Sequence, residues 1–199
     1  MHQLHNLFSG VQPMPPEWRS MLQEIQIITR ALPVLSGGAL RDWCHGKPVK
    51  DLDIFLPCSN EDMLDLDQWF LMTGWQRTQN IPPSCEGLNE VTAVVGYSKL
   101  GCTEVNIIFL AHDVDLSPLG VASRNDFGIC QISAWVVRGE WHFEFTEAFM
   151  QDSLEQTFTL LREGDEARSL RRYERLREKY PNHTLQTPLI PPSTPTYFN

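Results

Sequence analysis

Between Glu17 and Leu32 the apolar residues Trp18, Met21, Ile25, Ile28 and Leu32 recur in steps of three and four. That period predicts an amphipathic helix with one buried stripe. Pro15 and Pro16 stand at its start, where a helix tolerates proline. The period then changes. Val34 and Leu35 predict a short strand that stops at Gly37-Gly38, and Leu40 to Cys44 a short helix closed by Gly46 and Pro48. From Asp51 to Leu56, Leu52, Ile54 and Leu56 alternate with Asp51, Asp53 and Phe55, the signature of a strand with one buried face. Ser59 to Thr73 predicts a helix with Ser59 or Asn60 as its N-cap. Asn80 to Glu90, with two prolines, predicts a loop.

Val91 to Tyr97 and Cys102 to Leu110 are rich in Val and Ile and predict two strands joined by a turn at Lys99 to Gly101. Leu116 to Ser123 predicts a short helix. Phe127 to Val137 and Trp141 to Phe145 predict a hairpin turning at Arg138-Gly139. Thr146 to Leu161 is mostly helical by pattern, although Thr157 to Leu161 also suits extended chain, and Glu166 to Lys179 predicts a charged helix. From Pro181 the chain turns Pro- and Thr-rich and ends PLIPPSTPTYFN, a composition expected to be extended or disordered. The expected organisation is a lead-in over 1–16, one domain over 17–161, a basic helix over 162–180 and a tail over 181–199.

Charge narrows the choice of function. A net charge of −9 argues against a broad phosphate-binding surface, which needs clustered Lys and Arg. It suits a site that gathers carboxylates for a divalent cation. The five cysteines, Cys44, Cys58, Cys85, Cys102 and Cys130, are spread out with no Cys-x-x-Cys pair. Reduced thiols in a cytoplasmic protein are expected, and zinc is not. No apolar run is long enough to span a bilayer, so no membrane partner is expected.

The candidate chemistry lies between Ser36 and Leu56. Asp51 and Asp53, two apart on a strand, share a face and can share one or two magnesium ions. Adjacent carboxylates repel each other unless a cation sits between them. Gly37-Gly38 ends a strand and opens a helix, where free backbone N–H groups favour a phosphate.

Gly37-Gly38-Ala39-Leu40-Arg41-Asp42, then Gly46-Lys47-Pro48 and Lys50-Asp51-Leu52-Asp53-Ile54, resembles the head domain of tRNA CCA-adding enzymes and bacterial poly(A) polymerases. These belong to the polymerase-beta-like nucleotidyltransferase superfamily. The resemblance implies an α+β nucleotidyltransferase fold, with a mixed sheet of about five strands packed against helices. It implies a third acidic group on a neighbouring strand: Glu104, within Cys102 to Ile108, with Asn106 on the same face as second choice. Arg124-Asn125-Asp126-Phe127-Gly128-Ile129-Cys130 resembles the family's Arg-Arg-Asp-Phe-Thr-Ile-Asn, so Arg124 and Asp126 are implied to hold nucleotide sugar or phosphate. The family's Asn is Cys130 here. Asp165, Arg168 and Arg171 resemble a later base-reading motif, with a solvated charged helix as the other reading. Arg41 would contact phosphate, or pair with Asp42 or Asp51.

The expected activity is a stand-alone transfer of a nucleoside monophosphate from an NTP to an acceptor such as an RNA 3′ end, tRNA-like or otherwise, with Mg²⁺ or Mn²⁺ on Asp51, Asp53 and Glu104. The alternative is a catalytically inactive nucleotide-binding regulator or inhibitor of the same fold. The family's long helical neck, body and tail are not expected within these residues.

Overall fold

The computed structural model describes residues 11–57, 59–78, 90–161 and 166–187. The helices are α1 (Pro16–Thr29), α2 (Gly38–Cys44), α3 (Asn60–Met72), α4 (Pro118–Ser123), α5 (Glu147–Glu155) and α6 (Glu166–Lys179). The strands are β1 (Val34–Ser36), β2 (Asp51–Pro57), β3 (Gln76–Thr78), β4 (Val91–Ser98), β5 (Glu104–Leu110), β6 (Ile132–Val137), β7 (Glu140–Phe145), β8 (Thr157–Thr159) and β9 (Thr184–Gln186). The architecture is α+β. A seven-stranded mixed sheet in the order β3-β4-β5-β2-β1-β6-β7 packs against helices, and β8 and β9 form a separate parallel pair.

The alternation in β2 decides which face is which. Leu52, Ile54 and Leu56 are buried, while Asp51, Asp53 and Phe55 are only half-buried. The buried set joins Trp18, Leu22 and Ile25 of α1 and Leu66 and Phe70 of α3 in the main core. On the opposite face Phe55 packs with Val34, Ile108 and Val121, leaving the Asp51–Asp53 end of β2 polar. β2 runs parallel to β5 and antiparallel to β1, so β1 and β5 flank the two carboxylates.

Most predicted elements appear close to their expected bounds. The Arg138-Gly139 turn has φ of 52° and 84°, the two positive values that a tight hairpin turn requires. The first part of the expected strand from Phe127 is instead a 3-10 turn at Gly128–Cys130. Buried Asp152 imposes it: its carboxylate accepts from Ile129 N at 2.7 Å, Thr159 N at 2.9 Å and the hydroxyls of Thr157 and Thr159 at 2.7 and 2.6 Å. These bonds also draw Thr157–Thr159 out of the helix that precedes it, after Gln156 closes α5 with φ 57°. The sheet gains β3 as an edge, and Thr184–Gln186, within the expected tail, pairs with β8. A second core of Phe127, Ile129, Cys130, Phe158, Leu160, Leu176 and Tyr180 joins this corner to α6. All of the expected loop over Asn80–Glu90 except Glu90, and the segment from Pro188, lie outside the described residues. No described helix is long and apolar enough to cross a membrane.

Candidate functional site

The parallel register of β2 on β5 sets Asp51 beside Glu104 and Asp53 beside Asn106. On the other side, Ser36 of β1 pairs with Asp53. Asn106 Nδ2 donates to Asp53 Oδ1 at 2.9 Å. Asp51 meets the exposed ammonium of Lys50 at 3.3 Å. Burial, and then the charge of Asp51, push the Asp53 carboxyl above the usual carboxylate range, and the bond from Asn106 only partly opposes this. A divalent cation would relieve that repulsion, so the pair suits a hard cation with oxygen ligands. Among the described residues no group of three or more His, Cys, Asp or Glu side chains is gathered to hold a metal. Glu104 is the first residue of β5 and is exposed, so Asn106 makes the contact with Asp53.

The glycine turn adjoins this pair because Ser36 leads directly into it. Gly37 has φ 82°, and a Cβ there would lie 2.9 Å from Asn125 Oδ1. Only glycine fits both constraints without strain. Asn125 is held over the turn by donating to Ser36 Oγ at 3.1 Å and to the Ala122 carbonyl at 3.0 Å. Gly38 begins α2, and Arg41, one turn later, is buried. Its guanidinium is occupied: Nε donates to Asp42 Oδ1 at 2.9 Å and a terminal nitrogen to Cys130 Sγ at 3.2 Å. Of the alternatives for Arg41, the pairing with Asp42 is the one formed. Asp42 also accepts from Tyr180 Oη at 2.7 Å and Lys179 Nζ at 2.5 Å, which ties α2 to the end of α6.

Arg124 closes α4 and pairs with Glu90. It lines a depression of about 320 Å³ whose walls include Asp115 and Ser123 but neither Asp51 nor Asp53. Asp126 accepts from Arg172 at 2.8 Å and from Ser169 Oγ at 3.0 Å, both on α6. Arg168 is half-buried on the same helix, whereas Arg171 is exposed, so the two do not share an inward face. The inward positions are Ser169, Arg172 and Leu176, the last in the second core. Asp165 lies outside the described residues.

By sequence, no protein-family model and no curated protein matches the chain. Solved structures do match it by fold. One is a tRNA-processing enzyme in an apo form, with TM-score 0.62, 16% identity and coverage of 88% of this chain and 45% of that one. Another is a CCA-adding enzyme in complex with ATP, with TM-score 0.63, 13% identity, and 91% and 41% covered. A third is the Thermotoga maritima CCA-adding enzyme complexed with tRNA, with TM-score 0.62, 12% identity, and 92% and 41% covered. The chain shares its fold with the matched parts of these structures. It spans less than half the length of these structures.

Within this fold, sequence reasoning missed Ser36, Asn125 and Arg172. Ser36 and Asn125 gave no signal, because their positions depend on β1 lying between β2 and β6. Arg172 did leave one. It lies four residues before Leu176, so the apolar stripe of α6 marks it as inward-facing.

Proposed function

We propose that the protein is a metal-dependent nucleotidyltransferase that moves a nucleoside monophosphate from an NTP to an acceptor hydroxyl, with an RNA 3′ end as the candidate acceptor. The observation that carries this reading is the Ser36–Asp53 pairing, which places the Gly37-Gly38 turn next to two carboxylates on one strand face. In the reaction, the acceptor oxygen bonds to the α-phosphorus, the bond from that phosphorus to the bridging oxygen breaks, and pyrophosphate leaves. Asp51 and Asp53 would hold Mg²⁺ or Mn²⁺, with Glu104 beside them at the start of β5. When bound, the metal supplies charge neutralisation of the triphosphate and a more acidic acceptor hydroxyl. Gly37 and Gly38 offer backbone N–H groups to phosphate oxygens. Asn106 fixes the orientation of the Asp53 carboxylate through its 2.9 Å bond. Arg124, Asp126, Asp165 and Arg168 are the proposed contacts to nucleotide. Catalysis by such a site comes from positioning and charge, with little covalent work by the protein.

Complexes of the fold relatives with ATP, with CTP and with tRNA support NTP and RNA as the classes to try first. A second reading, a nucleotide-binding regulator without turnover, draws on the exposed position of Glu104 and the lack of a third gathered carboxylate among the described residues. One experiment separates the two. Each labelled NTP is incubated with Mg²⁺ or Mn²⁺ and total RNA, using wild type and Asp51→Ala/Asp53→Ala. Label transfer that the double variant abolishes supports the enzyme. Saturable NTP binding with no transfer to RNA, protein or small molecules supports the regulator.

A further inference from the structure

Arg172 sits where the second core meets the carboxylate face. Its guanidinium donates through one nitrogen to Asp126 Oδ1 at 2.8 Å. Asp126 is itself fixed: its other oxygen accepts from Ser169 Oγ at 3.0 Å, and Leu161 N donates to its backbone carbonyl at 2.9 Å. The carboxylate side chain is 12% exposed while the arginine side chain is 29% exposed, so the anchor is sheltered and the cation still opens to solvent. The neighbouring residue, Asn125, bonds to Ser36, which pairs with Asp53. Asp126 and its neighbour Asn125 thus link Arg172 through Ser36 to the strand that carries Asp53, and the charge of Arg172 is felt at Asp53, Cys130 and Arg41.

Of the other cations near this place, Lys50 is exposed and pairs with Asp51, and three more are committed elsewhere. Arg41 is taken up by Asp42 and Cys130, Arg124 pairs with Glu90, and Lys179 is bound to Asp42 and to the Pro48 carbonyl. An arginine carries five N–H donors in a planar fork suited to phosphate oxygens. Arg172 makes one hydrogen bond among the described residues, so its remaining donors are not taken up there.

We propose that Arg172 is the cation that meets the phosphate chain of a bound nucleoside triphosphate, held in readiness by Asp126. This assignment rests on the nucleotidyltransferase reading. It moves the phosphate-binding charge from the glycine helix, where the sequence marks Arg41, to α6. Asp126 acts through Arg172 as a positioning residue.

The test compares equilibrium binding of ATP, CTP, GTP and UTP, and of the matching nucleosides, with Mg²⁺ present. Wild type, Arg172→Gln, Arg172→Lys and the exposed control Arg175→Gln are measured together, with thermal unfolding to verify folding. Arg172→Gln is expected to weaken triphosphate binding about tenfold to a hundredfold, the size of a lost charge-assisted contact, with nucleoside binding unchanged. Arg172→Lys keeps part of the affinity, and Arg175→Gln keeps all of it. Equal losses for triphosphate and nucleoside, or full binding by folded Arg172→Gln, overturn the assignment and leave the nucleotidyltransferase reading standing. A wild type that binds no triphosphate overturns both. If Arg172→Gln does not fold, Arg172→Lys and Asp126→Asn decide: triphosphate affinity unchanged in both overturns the assignment.

Discussion

Asp42 and Asp53 are both aspartates at the edge of the main core, yet their surroundings are opposite. Asp42 is buried beneath two cations and a phenol, with Arg41 at 2.8 Å, Lys179 at 2.5 Å and Tyr180 at 2.7 Å. Asp53 has one amide donor and a second carboxylate for a neighbour, and its pKa is raised. The first carboxylate is satisfied by the protein and serves the fold. The second has burial and a like charge that the Asn106 bond and the charges of Arg172 and Lys50 only partly offset. A surplus of like charge at one place and its full neutralisation at another separate the candidate chemistry from the scaffold.

Breaking the satisfied side has the largest expected effect. Asp42→Ala leaves Arg41 and Lys179 without their carboxylate and lowers stability by about 3–5 kcal/mol, on the order of 10 °C in Tm, read by thermal unfolding. Unchanged Tm would remove the contrast. Asp53→Asn is expected to behave in the reverse way. It relieves repulsion with Asp51, so Tm stays level or rises, while nucleotidyl transfer falls at least about a hundredfold. Mg²⁺ should raise the Tm of wild type, because an ion that binds only the folded state stabilises it; the same addition should do little for Asp53→Asn.

A smaller effect sharpens the link between the glycine turn and its roof. Gly37→Ala forces a side chain at φ 82° against Asn125 Oδ1 and should cost about 1–2 kcal/mol. Adding Asn125→Ala removes the contact but not the backbone strain, so chemical denaturation of the double variant should recover part of the loss.

The smallest effect concerns His45 and His183, which meet each other and Tyr180 edge to face beside the Asp42 cluster. Burial lowers both pKa values from 6.5. The unfolded chain therefore binds protons first as pH falls. Their contribution to stability is fully present above about pH 6.5 and is lost as pH drops through the lower folded values. Arg41, Asp42, Lys47 and Asp152 are the charged groups felt there. Among the described residues neither ring nitrogen of His183 has a hydrogen-bond partner, so His183→Phe should keep Tm at pH 7 and flatten its fall below pH 6.5. A variant that falls as steeply as wild type would place the acid sensitivity elsewhere.

Much of this was legible in the residues. The alternation of Leu52, Ile54 and Leu56 with Asp51 and Asp53 named the buried face and the site face of β2, and β4, β5 and α6 followed from equally regular patterns. Phe127–Gln131 did not follow, because its apolar residues are held in a turn by Asp152, a residue more than twenty positions away in sequence. Arg41 and Glu104 show the same limit. Each stands where the family resemblance puts it, but Arg41 is spent on Asp42 and Cys130, and Glu104 sits at the exposed end of β5.

Local periodicity and the Gly37-Gly38, Asp51-x-Asp53 spacing thus determined the type of fold and the two halves of the candidate site, since both depend on neighbours in sequence. The tertiary structure alone decided which charges are neutralised. Register set Asn106 beside Asp53, and the packing of α6 delivered Lys179 to Asp42 and Arg172 to Asp126. The energy of a charge depends on what lies within a few ångströms of it, and those neighbours come from distant parts of the chain.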